Sequence, residues 1–92
     1  MPSQNLTLYK IIFSKKAVKT LKDLPRNYQV KIQEISHRLS KDPFKADIKK
    51  MQSSDATHRL RIGPYRLFLV VDTTSKEIII STIKRRTTQT YR

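Results

Sequence analysis

Ninety-two residues with 37% hydrophobic side chains suffice for one thin-cored domain spanning 1–92 and are too apolar for a disordered tail. Twenty Lys and Arg against seven Asp and Glu give a formal charge of +13, which favours a polyanionic partner, nucleic acid before a membrane surface. No cysteine occurs, so disulfides, thiolate metal sites and thiol nucleophiles are excluded, and the reducing cytoplasm is the expected compartment.

Residues 1–8 lack a charged start followed by an apolar stretch, so no signal peptide is expected. The longest apolar run, Leu67 to Val71, is far short of the roughly 20 residues that span a bilayer. Leu8 to Phe13 alternate as a strand with two largely apolar faces. Ser14 stands where an N-cap belongs, ahead of Ala17, Val18, Leu21 and Leu24 at helical spacing. Asp23-Leu24-Pro25 breaks that helix, and Pro25 suits the first turn of a second. There Tyr28, Ile32, Ile35 and Leu39 form one stripe, with Val30 opposite, before Asp42-Pro43 stops the run. Helices joined so tightly should form an antiparallel hairpin.

Phe44 to Asp55 read as an irregular connection carrying Lys45, Lys49 and Lys50. Three strands follow, predicted over 56–62, 65–72 and 77–83. Gly63-Pro64 joins the first two as a type II′ turn, with glycine first and the negative φ of proline second. The predicted architecture is therefore α+β: an N-terminal strand, a helical hairpin and a three-stranded antiparallel meander in one sheet packed on the helices.

The tight turn fixes the register. Ile62 pairs with Tyr65, which sets Arg61 opposite Arg66 and Leu60 opposite Leu67. One face then carries Leu60, Ile62, Tyr65, Leu67, Leu69 and Val71; the other carries Arg59, Arg61 and Arg66 with Phe68 and Val70. Two arginines directly opposite repel at a cost of roughly 0.2–1 kcal/mol, and no acidic residue lies between Thr57 and Val71. Such a conflict is expected where an anionic ligand supplies the missing charge. Lys84, Arg85 and Arg86 close the last strand, and Tyr91-Arg92 follow, with no acid from Ile78 onward. An aromatic among cations suits RNA, because a base can stack while guanidinium groups meet phosphates. His58 is expected on the core face beside Leu69, and His37 on the surface. Neither metal ligation nor two-histidine chemistry is expected from this pair.

Tyr9 to Ser14 with Ala17, Leu21 and Leu24-Pro25, the stretch His58 to Arg66, and Ile80 to Tyr91 together resemble the RelE/ParE toxin superfamily, in order and over nearly the whole chain. The resemblance implies a toxin held by an antitoxin from the adjacent gene, a monomer when alone and a hetero-oligomer with that partner. Its RelE-like branch implies metal-free, cofactor-free cleavage of ribosome-bound mRNA in the A site, by 2′-hydroxyl attack on the adjacent phosphate. The catalytic candidates it implies are Arg61 and Arg66 to hold the phosphate, Arg85 to stabilise the leaving oxygen, and Tyr91 to stack on a base or accept the 2′-hydroxyl proton. Arg59, which matches a family position, and Lys84, Arg86, Arg92, Lys49 and Lys50, singled out by the clustering of charge, are the candidates for binding RNA phosphates. Two alternatives stay open: a ParE-like inhibitor of DNA gyrase, and a non-catalytic module that binds RNA or a partner. Arg59 and Arg61 stand where the best-known RelE pattern has lysines, which keeps the last alternative in view.

Overall fold

The computed structural model describes residues 8–52 and 56–85. The chain runs β1 (Lys10–Phe13), α1 (Lys15–Lys22), α2 (Arg26–Lys41), β2 (Ile48–Lys50), β3 (His58–Ile62), β4 (Tyr65–Asp72) and β5 (Glu77–Arg85). The five strands form one sheet in the order β1-β5-β4-β3-β2. The expected meander is β3-β4-β5, and β1 joins β5 in parallel, with Lys10 beside Glu77 and Phe13 beside Ile80.

Each helix end has a visible cause. The Ser14 hydroxyl oxygen accepts from the backbone N–H of Ala17 at 3.0 Å, the N-cap bond that the sequence predicts, generally worth about 1 kcal/mol. The Asp23-Leu24-Pro25 break is closed by Gln29, whose amide donates to the carbonyls of Leu21, Lys22 and Leu24. The Leu21 and Lys22 carbonyls belong to the last turn of α1, where no i+4 amide of the same helix reaches them. At the far end Asp42 stops α2, and its carboxylate accepts from the backbone N–H of Phe44 to cap a single 3-10 turn, Pro43–Lys45.

Two expectations are corrected here. The connection after α2 is not irregular throughout: after the 3-10 turn it contributes β2, paired antiparallel with β3, so the sheet has five strands and not four. A three-residue, lysine-rich strand shows no alternation, which is how protected sheet edges commonly look. The last strand also runs to Arg85 and does not end at Ile83, which brings Lys84 and Arg85 into the ladder.

The core lies between the helices and one face of the sheet. Ala17, Ile32 and Leu39 meet Leu60, Leu67, Leu69, Ile78, Ile80 and Ile83, all buried. Val18, expected on the apolar stripe of α1, is exposed, whereas Val30 is exposed as its position opposite the α2 stripe requires. No helix among the described residues is long and apolar enough to cross a membrane.

Candidate nucleic-acid interface

The site is built from the turn outward. Gly63 has φ 57°, a conformation that costs a residue with a side chain about 1–2 kcal/mol. A Cβ there would also lie 2.6 Å from Cε1 of Tyr28. The Tyr28 ring meets Tyr65 edge-on, with centroids 5.1 Å apart. The turn is thus pressed against α2, and only glycine fits.

With the turn fixed, the register is the one the sequence predicts: Ile62 with Tyr65, Arg61 with Arg66, Leu60 with Leu67, and His58 with Leu69. On β5, Lys84 pairs with Arg66, Thr82 with Phe68, and Arg85 with Tyr65. Cross-strand partners share a face at about 4.5–5.5 Å between Cβ atoms. The outer face therefore carries two rows across the strands. One is Arg61–Arg66–Lys84; the other is Lys49–Arg59–Phe68–Thr82.

A β-bulge decides which cation of β5 joins the first row. Phe68 pairs with Thr82 but the next residue, Leu69, pairs with Ile80, so Ser81 is an extra residue. One inserted residue exchanges the faces of everything beyond it. Ile83 is thereby turned into the core, Lys84 to the cationic face and Arg85 to the helix side, where its guanidinium lies 5.9 Å from the centroid of Tyr65. The bulge is held from both sides. Ser81 donates its hydroxyl to the Phe68 carbonyl at 3.1 Å, and the Ser14 hydroxyl donates to the Ser81 carbonyl at 2.7 Å.

The structure thus brings together Arg59, Arg61, Arg66, Lys84 and Lys49 from the expected set. It separates Arg85 from them, and also Lys50, which pairs with His58 on the other face. Arg86, Tyr91 and Arg92 lie outside the described residues.

Electrostatically the outer face is frustrated. Arg61–Arg66, Arg66–Lys84 and Lys49–Arg59 are all like-charge neighbours. Arg66 is half-buried, and its Nε is buried with no hydrogen-bond partner among the described residues. An orphaned buried donor is costly, more so on a charged group. Nothing in the folding of the sheet asks for that arrangement.

Two clefts open on this face. One, of about 240 Å³, lies between Asp47, Lys49, Arg59 and Arg61. The other, of about 580 Å³, runs past Lys16, Met51, Phe68, Thr82 and Lys84. Asp47 and Lys16 were not recognisable as site residues in the sequence. Asp47 belongs to the segment read as irregular, and Lys16 is one of several lysines on α1, with no local mark that the start of that helix borders the bulge.

His58 is half-buried opposite Leu69, and its Nδ1 lies 2.9 Å from the Thr57 hydroxyl. Burial, and then the nearby Lys50 ammonium, push its pKa below the usual histidine value. His37 is exposed on α2. Among the described residues no group of three or more His, Asp or Glu side chains could hold a metal ion.

Residues 11–89 match the family model described as the ParE toxin of the type II toxin–antitoxin system parDE. The chain is 37% identical over 81 residues to a toxin named RelE1 from Methanocaldococcus jannaschii, covering 85% of this chain and 90% of that protein. In structure it is similar to RelE in the archaeal RelE–RelB complex from Pyrococcus horikoshii. That match has a TM-score of 0.78 at 28% identity and covers 89% of this chain and 99% of that one. It is also similar to the RelBE2 toxin–antitoxin complex of Mycobacterium tuberculosis, with TM-score 0.74 at 25% identity over 86% of this chain and 99% of that one.

Proposed function

The chain belongs to the RelE/ParE superfamily of type II toxins, RelE-like in fold and sequence, and from that premise we propose that it is a ribosome-dependent endoribonuclease acting on mRNA in the A site. The observation that carries this reading is the row Arg61–Arg66–Lys84, three cations on neighbouring strands, with Asp47 beside Arg61 at one end of the row and Arg66 left between two like charges.

The reaction needs three things from the protein. The 2′-hydroxyl of one nucleotide attacks the adjacent phosphorus, so its proton must leave. Charge grows on the non-bridging oxygens and must be stabilised. The 5′-oxygen departs as the bond to phosphorus breaks and takes up a proton, leaving a 2′,3′-cyclic phosphate and a 5′-hydroxyl. Arg61 and Arg66 suit the second task, since charge-assisted guanidinium forks match phosphate oxygens. They cannot serve the third, because a guanidinium stays protonated.

Lys84 can. It replaces Arg85 in this reading as the group at the leaving oxygen, and it restores a lysine to a site whose residues 59 and 61 are arginines. Tyr91 keeps the role that the family resemblance implies, stacking on a base or accepting the 2′-hydroxyl proton. Arg59 and Lys49 extend the cationic face to flanking phosphates, and Arg86 and Arg92 are proposed to do the same from the tail.

The relatives crystallised with RelB antitoxins support a partner for this chain as well. An antitoxin from the adjacent gene would cover the basic face or displace the tail. A second reading, gyrase inhibition, has a specific observation behind it, since the matching family model is that of ParE toxins.

Induced expression followed by mapping of mRNA 5′ ends, with and without the adjacent gene, separates the two. The nuclease reading expects cuts within translated codons that co-expression of the adjacent gene suppresses. Intact mRNA alongside DNA breakage gives the result to the gyrase reading. Within the nuclease reading, Lys84→Arg keeps the charge but removes the proton donor. It should lower cleavage by about 100-fold, the lower end of what general acid catalysis usually contributes. A substrate with sulfur as the 5′ leaving atom, which needs no proton, should recover most of that loss.

A further inference from the structure

Phe68 is out of place for a core residue. It lies on the outer face of β4, away from the helices, between Arg59 on β3 and Thr82 on β5. It lines the 580 Å³ groove together with Lys16, Met51, Ser81, Thr82 and Lys84. The Lys84 ammonium stands 5.8 Å from its ring centroid.

We propose that this groove is a nucleobase subsite: the base next to the cleaved phosphate stacks on Phe68 while its backbone follows the cationic row. The proposal rests on the RNA-cleaving reading above and deepens it, because it assigns the recognition of a base to a residue outside the reacting row.

Three observations converge on a base as the occupant. Arg66 and Phe68 are successive same-face residues of β4, about 6.8 Å apart along the strand, so a phosphate on one and its own base on the other fit a single nucleotide. The groove is lined by two lysines and no acid, which suits an anionic chain and disfavours a basic or purely apolar peptide. It also offers hydroxyl and ammonium groups, from Thr82 and Lys84, beside an aromatic ring. That combination of ring, cation and polar edge is how single-stranded RNA bases are held.

The bulge makes the subsite. Without the extra residue, Ser81 would stand opposite Phe68 while Thr82 and Lys84 faced the helices, and the ring would lose the ammonium beside it. The cation over the ring in the free protein is the same group placed at the leaving oxygen. Docking of the phosphate draws Lys84 into the row and leaves the ring to the base.

The test uses the full chain and short single-stranded RNAs at low salt, comparing an intact oligonucleotide with the same backbone carrying one abasic nucleotide. Wild type should bind the intact RNA about tenfold more tightly, a typical effect of one stacked base. Phe68→Leu should bind both RNAs alike, at the abasic level, and Phe68→Tyr should restore the preference. Thermal melts of both variants check that they are folded. An intact-to-abasic ratio near one in wild type overturns the proposal, and so does a ratio that Phe68→Leu leaves unchanged. So does a Phe68→Leu variant that loses only its partner antitoxin, which would make this a protein-docking face. Because the assay reads binding alone, a base preference in a chain that cuts no mRNA would sink the nuclease reading and spare the subsite.

Discussion

The two faces of the β3–β4 hairpin are made by the same residues in alternation, yet they obey opposite rules. On the helix side, Leu60, Tyr65, Leu67 and Leu69 are buried in contact with one core. On the outer side, Arg59, Arg61 and Arg66 face like charges across the strands, and Arg66 keeps an orphaned donor. The first face is where folding free energy is gained. The second carries an electrostatic cost that an anionic ligand would relieve. A strand that does both shows how a thin domain can hold a binding site on its own core elements: alternation keeps the two jobs one residue apart.

The comparison can be broken from either side. Leu67→Ala should have the largest effect, about 2–5 kcal/mol of stability, the range for removing a buried leucine side chain. Urea denaturation would read it as a lower midpoint, and a midpoint within error of wild type would show that the helix-side face is not the core. Gly63→Ala comes next. The positive φ alone costs about 1–2 kcal/mol, and the added methyl must also displace the Tyr28 ring. Loss of the hairpin's slow-exchanging amides would show that the turn locks the register.

The smallest effect concerns His58, on the helix-side face. Its pKa is lowered in the folded protein, by burial first and by Lys50 second. The unfolded chain therefore takes up the proton first as pH falls. Stability is fully present above the ordinary histidine pKa and declines as pH drops through it toward the lowered folded value. Urea midpoints at pH 7.5 and 5.5 should differ in that direction, and His58→Gln should flatten the difference. The Asp72 carboxyl acts at lower pH. Hydrogen bonds from Ser75, then Thr74, hold it below its usual value, and their contribution fades as pH falls through that lowered value.

Much of the hairpin was legible in the sequence because one local rule governs it. A lone glycine before proline admits one tight turn, and that turn dictates every pair from His58–Leu69 to Ile62–Tyr65. The helix boundaries were legible for the same reason, since Ser14, Pro25 and Asp42 act on their immediate neighbours. What escaped depends on distant partners. The bulge at Ser81 rests on a hydrogen bond from Ser14, 67 residues away in sequence. Around it Ile78-Ile79-Ile80 is apolar on both faces and shows no phase to be broken. Lys84 and Arg85 therefore read alike in sequence and differ only in the folded sheet. β2 escaped because three residues flanked by charge carry no alternation, and with it went the approach of Asp47 and Lys49 to Arg59.

The direct test of the outer face as a phosphate site is Arg66→Gln, measured for stability and for cleavage of ribosome-bound mRNA in the same preparation. The charge row predicts that the urea midpoint holds or rises, by about 0.2–1 kcal/mol for each like-charge neighbour relieved. Cleavage should fall by about 10²–10³-fold, as when one donor to a developing oxyanion is removed. A variant that unfolds more readily while cutting at the wild-type rate would contradict the account, because Arg66 would then be holding up the sheet.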